Sequence, residues 1–164
     1  MINNWTDGAF ELADGTDPTP LTVSDGYSNG DMSWDGLSPD QAAEQVYKSR
    51  GRVVAVRKGD SIEPTFSFSA MLDEFTDTVS GTFVDFAKAI AGTPYENRVS
   101  TGTDLGDIFM CTATWTVTDP DGTVHRMIAT KCSLAFSTSE GDPNTLNVSG
   151  TVYGTVTFEK VPAP

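Results

Sequence analysis

The amino-acid sequence predicts a mainly β fold, a β-sandwich or split barrel with one short flanking α-helix at about residues 82–91. Three observations carry that prediction. Several stretches alternate apolar and polar residues with the two-residue period of a strand. Turn-forming residues separate them, in a chain holding 15 Gly and 9 Pro. The best helix signal, a cap followed by an apolar stripe and a Gly-Pro stop, is one short stretch. At 164 residues the chain reads as a single domain, long enough to bury a core.

The elements follow in order. Trp5–Leu12 is a short strand, Asp14-Gly15 and Asp17-Pro18 turn the chain, and Leu21–Val23 returns beside it. Gly26–Gly36 reads as loop with a short strand at Met32–Trp34. Signals overlap between 38 and 58. Ser38-Pro39-Asp40-Gln41 has the look of a helix start, and Ala42, Ala43, Val46 and Tyr47 would give it an apolar face. Val46–Lys58 also reads as a strand, most strongly at Val53-Val54-Ala55-Val56, so at most a short helical turn precedes it. Gly59-Asp60 marks a turn, and Thr65–Leu72 then alternates with Phe66, Phe68, Ala70 and Leu72 on one face.

Thr82–Ala91 is the helix. Thr82 caps it, Asp85 stands at N3, and Phe83, Val84, Phe86, Ala87 and Ile90 form the apolar stripe, with Gly92 and Pro94 ending it. A helix of this length needs a sheet to pack on. Residues 93–106 read as loop, Ile108–Thr118 alternates again, Asp119-Pro120-Asp121-Gly122 is a hairpin turn, and Val124–Phe136 returns. Last comes a ribbon from Thr145 to Phe158. Its even positions are Leu146, Val148, Gly150, Val152, Gly154, Val156 and Phe158. Fully extended it spans ~45 Å at about 3.3 Å per residue. It is either one extended strand or two strands broken at a glycine. Gly150 and Gly154 mark where the sheet bends, or where a backbone or a bulky side chain comes close.

The residues offer little for chemistry. His125 is the single histidine, on a hairpin strand and outside any nucleophile pattern. The acidic loops around Asp104, Asp107, Asp119 and Asp121 lack the further ligands of a calcium loop, and no Cys/His cluster has metal spacing. No cofactor, metal or catalysis is expected. If Thr118 pairs with Thr123, Cys111 and Cys132 are diagonal neighbours on one face, and they read as reduced, buried thiols. The start of the chain lacks the features of a secretion signal and no apolar run reaches membrane length, so synthesis in a reducing cytosol without membrane insertion is expected.

Charge order is more informative than the net charge of −13. Residues 1–47 hold nine acids and no Lys or Arg, whereas residues 48–58 hold Lys48, Arg50, Arg52, Arg57 and Lys58 and no acid. One reading is a contact between copies, with Asp31, Asp35 and Asp40 of the acidic segment meeting the basic strip. The other is a solvated or intramolecular match. Opposite charges steer encounter and fix register more than they add affinity. An acidic chain also makes a poor grip for phosphates.

Several stretches resemble the major tail proteins of long-tailed, siphovirus-like bacteriophages. They are Gly30-Asp-Met-Ser-Trp-Asp-Gly-Leu37, then Arg52-Val-Val-Ala-Val-Arg-Lys-Gly-Asp60 running through Glu63-Pro64 into Thr65-Phe-Ser-Phe-Ser-Ala-Met-Leu72 and Phe75, and last Glu140-Gly-Asp-Pro-Asn-Thr145 before the alternating ribbon. They come in the family's order and cover roughly residues 26–158. The resemblance implies a structural virion protein. Its hexameric rings would stack into a hollow tail tube, with one sheet per subunit joining a ring-wide inner β-barrel. The acidic lumen would let DNA slide through during ejection. Residues 1–50, with the acidic segment and a long loop, would make subunit contacts, and partners would include tape-measure and tail-terminator proteins. Leu146, Val148, Val152, Val156 and Phe158 would face the subunit core. Two other classes remain: a capsid decoration or tail-terminator subunit, and a carbohydrate-binding sandwich using Trp5, Trp34 and Trp115, of which Trp115 lies in a core register.

Overall fold

The computed structural model describes residues 8–24, 31–37, 42–72 and 74–164. Among them the strands are β1 (Ala9–Ala13), β2 (Thr22–Ser24), β3 (Ser33–Asp35), β4 (Ala42–Ser49), β5 (Arg52–Ser61), β6 (Thr65–Met71), β7 (Cys111–Thr118), β8 (Val124–Ser139), β9 (Thr145–Val152) and β10 (Val156–Val161). The helix α1 (Phe83–Lys88) stands between β6 and β7. Eight strands make one antiparallel sheet in the order β2-β1-β7-β8-β9-β6-β3, with β10 also paired to β8. β4 and β5 form a separate two-stranded sheet.

The large sheet folds over along β8, which is 16 residues long. The first half of β8 pairs with β7 and β10, and the second half, from Cys132, pairs with β9. Between the halves Lys131 takes a left-handed φ of 53°. The partner ribbon breaks alongside it. The amides of Tyr153 and Gly154 donate to the carbonyls of Lys131 and Thr130 at 3.0 and 3.1 Å. Irregularities of this kind bend a strand. Gly154 permits the approach, since a Cβ there would lie 2.6 Å from the Thr130 carbonyl oxygen. The C-terminal ribbon is therefore two strands broken at a glycine, both laid along one long partner.

The bend sets β1 against β6, although three strands separate them in the sheet. The Phe10 ring stands 5.4 Å from Phe66 and 4.3 Å from Phe68. Leu12, Ala113, Ala129, Leu146, Val148 and Val152 fill the space between the layers. Each large side chain buried there contributes about 1.5–3 kcal/mol. Gly150 belongs to the same apolar row, and the Phe66 ring occupies the volume its Cβ would need. The result is a sandwich whose two layers share β8, and no closed barrel forms among the described residues.

The helix closes one end. Thr82 and Asp85 form a capping box. Phe83 packs 5.9 Å from Phe68, and Phe86 meets Tyr95 and Phe109 at 5.3 and 5.8 Å. The helix ends at Lys88 rather than at residue 91, because Ala89 already turns left-handed with φ 50°. Arg98 covers that end. Its guanidinium donates to the Phe86 carbonyl and lies 3.6 Å from the centre of the Phe109 ring.

Four expectations are corrected. Residues 42–61 form a hairpin, with neither a helical turn after residue 41 nor a break at Gly59-Asp60, which lies inside β5. The expected helix start at Ser38–Gln41, the strand residues Trp5–Asp7 and the loop segment 26–30 lie outside the described residues. Phe158 is 66% exposed rather than core, because the packing of β10 on the core ends at Val156. Cys111 and Cys132 are directly opposite rather than diagonal, because a bulge between Cys111 and Ala113 shifts the register. Both thiols are free and buried.

Candidate functional site

The basic strip of the sequence is one object in space. β4 and β5 pair from Ala42↔Ser61 to Ser49↔Arg52, and Arg50 and Gly51 close the hairpin with φ of 51° and 78°, the two positive values of a type I′ turn. The insertion lies between β3 and β6, which themselves pair. The hairpin thus grows from the edge of the second layer, where Gly36 (φ 73°) passes over Pro64. Its strands make their contacts chiefly with each other.

This arm exposes what a soluble body would bury. Val46, Val53, Val54 and Val56 are 47, 59, 68 and 55% exposed. Val46 sits opposite Val56, and Tyr47 opposite Ala55, so both faces carry apolar side chains. Arg57 lies 5.7 Å from the Tyr47 ring centre. Lys48, Arg50, Arg52, Arg57 and Lys58 are all on the arm and all exposed. With Glu44 and Asp60 the arm carries +3, leaving −16 on the rest of a −13 chain. A two-stranded hairpin alone is marginal in water. The arm is thus exposed and apolar, and opposite in charge to the rest of the chain.

The acidic candidates are placed differently. Asp31 is exposed and bonds within its own sheet, its carboxylate accepting from the Ser69 amide at 2.8 Å and from the Ser69 hydroxyl. Asp35 accepts from the Gly36 amide at 2.8 Å, at the root of the arm. Asp40 lies outside the described residues. The structure therefore brings the five cations together and leaves Asp31 and Asp35 on the neighbouring edge.

The outer face of the second layer is a grid of small polar groups. Paired rows read Ser33–Ser67–Ser149–Ala135 and Asp35–Thr65–Thr151–Ser133. These rows hold hydroxyls and a carboxylate and no Lys or Arg. They line a shallow hollow of about 290 Å³. Two strand edges flank it. β3 has no further strand beyond it, and residues 133–139 of β8 lie past the end of β7, so neither edge is paired among the described residues.

A second hollow lies on the first layer. Trp115, Val117, His125, Met127 and Phe158 line an apolar cleft of about 150 Å³, with Arg126 and Glu159 beside it. His125 Nε2 stands 2.9 Å from Asp119 Oδ2, and Arg126 is 4.0 Å from Glu159. Alternation in the sequence shows these residues as strand positions and gives no sign that Phe158 is left exposed while Val117 and Met127 are buried. Trp34 is half-buried on Phe66, and Trp5 lies outside the described residues.

The buried ionisable groups serve the fold. Burial alone would push the Asp14 carboxyl up, but the Thr16 hydroxyl and the amides of Val99, Thr16 and Leu21 hold it below the usual carboxylate range. Burial pushes the Cys132 thiol up to about 12 and the Cys111 thiol higher still, where neither is a nucleophile. Among the described residues no group of three or more His, Cys, Asp or Glu side chains is placed to hold a metal. No helix there is long and apolar enough to cross a membrane.

No family model matches this chain, and no curated protein matches it. Solved structures do share its fold. The sheath/tube terminator of an extracellular contractile injection system (PVC) in its extended state matches with a TM-score of 0.54, over 92% of each chain at 11% identity. The tube-terminating cap of the anti-feeding prophage matches with 0.55, over 98% of this chain and 92% of its own at 12% identity. A chain of the PVC sheath–tube complex in the extended state also gives 0.55, over 98% and 93% at 10% identity. At such identities the likeness is one of fold. All three come from contractile injection systems rather than from the long-tailed phages that the sequence stretches resemble.

Proposed function

We propose that this chain is a structural subunit of a phage-tail-like tube, assembling with copies of itself and with neighbouring tail proteins, and acting in the assembled particle without catalysis. The observation that carries the reading is the β4–β5 arm, which is apolar on both faces, cationic, and rooted at the edge of an acidic body. The two open strand edges on the hydroxyl face support it further, since ring closure would pair edges that otherwise invite uncontrolled association. With that face inward, a passing polyanion meets hydroxyls and carboxylates, and finds no cation to hold it. Screening confines the effect to charges within ~8 Å at physiological salt.

Of the positions in such a tube, the terminating ring is favoured. Two of the three structural neighbours are a terminator and a cap. The body of the tube is the second reading, favoured by the neighbour from a sheath–tube complex. Hexameric symmetry and DNA conduction belong to this proposal as its finer form.

Electron microscopy of the purified protein across a concentration series, with light scattering in low and high salt, tests it. Closed rings that do not lengthen support the terminating position, and uniform hollow tubes support the tube body. Assembly should weaken with salt, because the arm is held by charge as well as by apolar contact. A monomer at every concentration and salt, with and without a pre-formed tail tube, overturns both.

A further inference from the structure

We propose that Cys111 and Cys132 are a latent cross-strand disulfide, a redox lock beside the bend of β8 that closes only while the ladder around it is open. The inference is independent of the tube reading.

The chain has two cysteines in 164 residues, and the fold sets them directly opposite one another on β7 and β8. Directly opposite residues of an antiparallel pair share a face, with Cα atoms about 4.5–5.5 Å apart. A relaxed disulfide spans about 4.4–6.8 Å between Cα atoms. The pair therefore meets the backbone requirement without movement of either strand. The Cys111 thiol already lies against its partner residue, 3.7 Å from the Cys132 carbonyl oxygen. The ladder is irregular on both sides of the pair. A bulge follows Cys111, and left-handed Lys131 precedes Cys132. Irregularities of this kind re-aim side chains.

The position gives the bond its effect. Cys111 opens β7, and Cys132 opens the half of β8 that pairs with β9. A bond between them ties the first layer to the second, one residue past the bend.

Burial decides when the bond forms. Both side chains are 0% exposed. Burial pushes the Cys132 thiol up to about 12 and the Cys111 thiol higher, so the folded pair holds almost no thiolate at neutral pH. The oxidant is a small disulfide such as oxidised glutathione. One cysteine thiolate attacks it, forms a mixed disulfide and releases one glutathione. The other attacks the protein sulfur of that mixed disulfide and releases the second. Two protein thiols lose two protons and two electrons, and the oxidant becomes two thiols. A closed sheet excludes the oxidant from both sulfurs. The redox state is therefore set while the chain folds or opens locally, and is then retained.

Refolding the full chain from urea with oxidised glutathione tests the bond. The expected product is a monomer lighter by two hydrogens, with no thiol titratable in denaturant and a Cys111–Cys132 link in a non-reduced peptide map. The same oxidant should act at least tenfold more slowly on the folded protein, because exchange waits for opening. The oxidised form should unfold at a higher urea concentration than the reduced form. Cys111→Ser and Cys132→Ser, oxidised in urea, should each take up one glutathione instead, which shows that each sulfur is reachable once the chain is open. Two free thiols after oxidative refolding, or dimers as the main product, would overturn the pairing. A urea midpoint at or below that of the reduced form would overturn the lock.

Discussion

The sandwich body and the β4–β5 arm are built from the same residue types and treat them in opposite ways. In the body Phe10, Phe66, Phe68, Phe86, Val148 and Val152 are almost wholly removed from water. In the arm Val53, Val54 and Val56 stand more than half exposed. The body has layers that cover each other, a bend that brings them together, and a helix that plugs the end. The arm has one ladder of hydrogen bonds and no second layer. Under the proposed function, the stabilisation that these beta-branched residues do not gain in the free subunit would come from the assembly. Charge divides the same way, +3 on the arm against −16 elsewhere.

The contrast can be broken at the body first. Phe86 is fully buried between Tyr95 and Phe109. Phe86→Ala should cost about 3–5 kcal/mol, as large-to-small changes in closed cores do. Urea denaturation would read it as a lower midpoint with an unchanged slope. An effect below ~1 kcal/mol would mean that the helix end of the sandwich is far looser than its packing implies. The next largest effect is at Asp14, whose carboxylate ties the β1–β2 connection to Val99. Asp14→Asn should cost about 1–3 kcal/mol, because donors now satisfied by a carboxylate would meet an amide. The pH dependence has a definite sign. The folded carboxyl lies below the 3.8 of an unperturbed aspartate. Its contribution is therefore full above pH ~4 and drains away as pH falls through the folded value. The variant should lose that part of the acid sensitivity. A smaller effect of the opposite sign is due at Ala89, left-handed at φ 50°. Ala89→Gly relieves the conformation and should stabilise by up to about 1 kcal/mol, seen as a raised melting temperature.

How much of this is legible in the sequence follows from which forces are local. Strand alternation and cap chemistry are local, so β6, β7, the Asp119–Gly122 turn and the Thr82–Asp85 capping box can all be read from neighbouring residues. The hairpin at 42–61 is obscured because its turn is Arg50-Gly51, where a left-handed arginine replaces the usual Asn or Asp, and because the residue pattern of Ser38-Pro39-Asp40-Gln41 just before it is that of a helix start. The bend of β8 leaves almost no trace, since Lys131 is an ordinary residue and only Gly154 on the partner ribbon hints at it. Without the bend, the point where the core ends along β10 cannot be known, and Phe158 reads as core. The candidate interface is half visible. The five cations stand out as a block, whereas the exposure of Phe158 depends on a tertiary boundary that sequence periodicity does not encode. Asp31 shows the converse, a carboxylate that looks available in the sequence and is bonded to Ser69 in the fold.

The smallest effect on the fold sharpens the comparison most. Val54→Ser and Val56→Ser together remove two of the arm's apolar side chains and leave every contact of the sandwich in place. Exposed substitutions outside such contacts usually fall within about 0.5 kcal/mol of zero. The free subunit should therefore melt within a degree or two of the parent. Its self-association, read by sedimentation or light scattering, should fall by tenfold or more, since each valine withdrawn from water at an interface is worth about 1 kcal/mol or more. The opposite pattern, a destabilised subunit with intact assembly, would mean that the valines pack against their own body and that the arm is part of the fold rather than an extension from it.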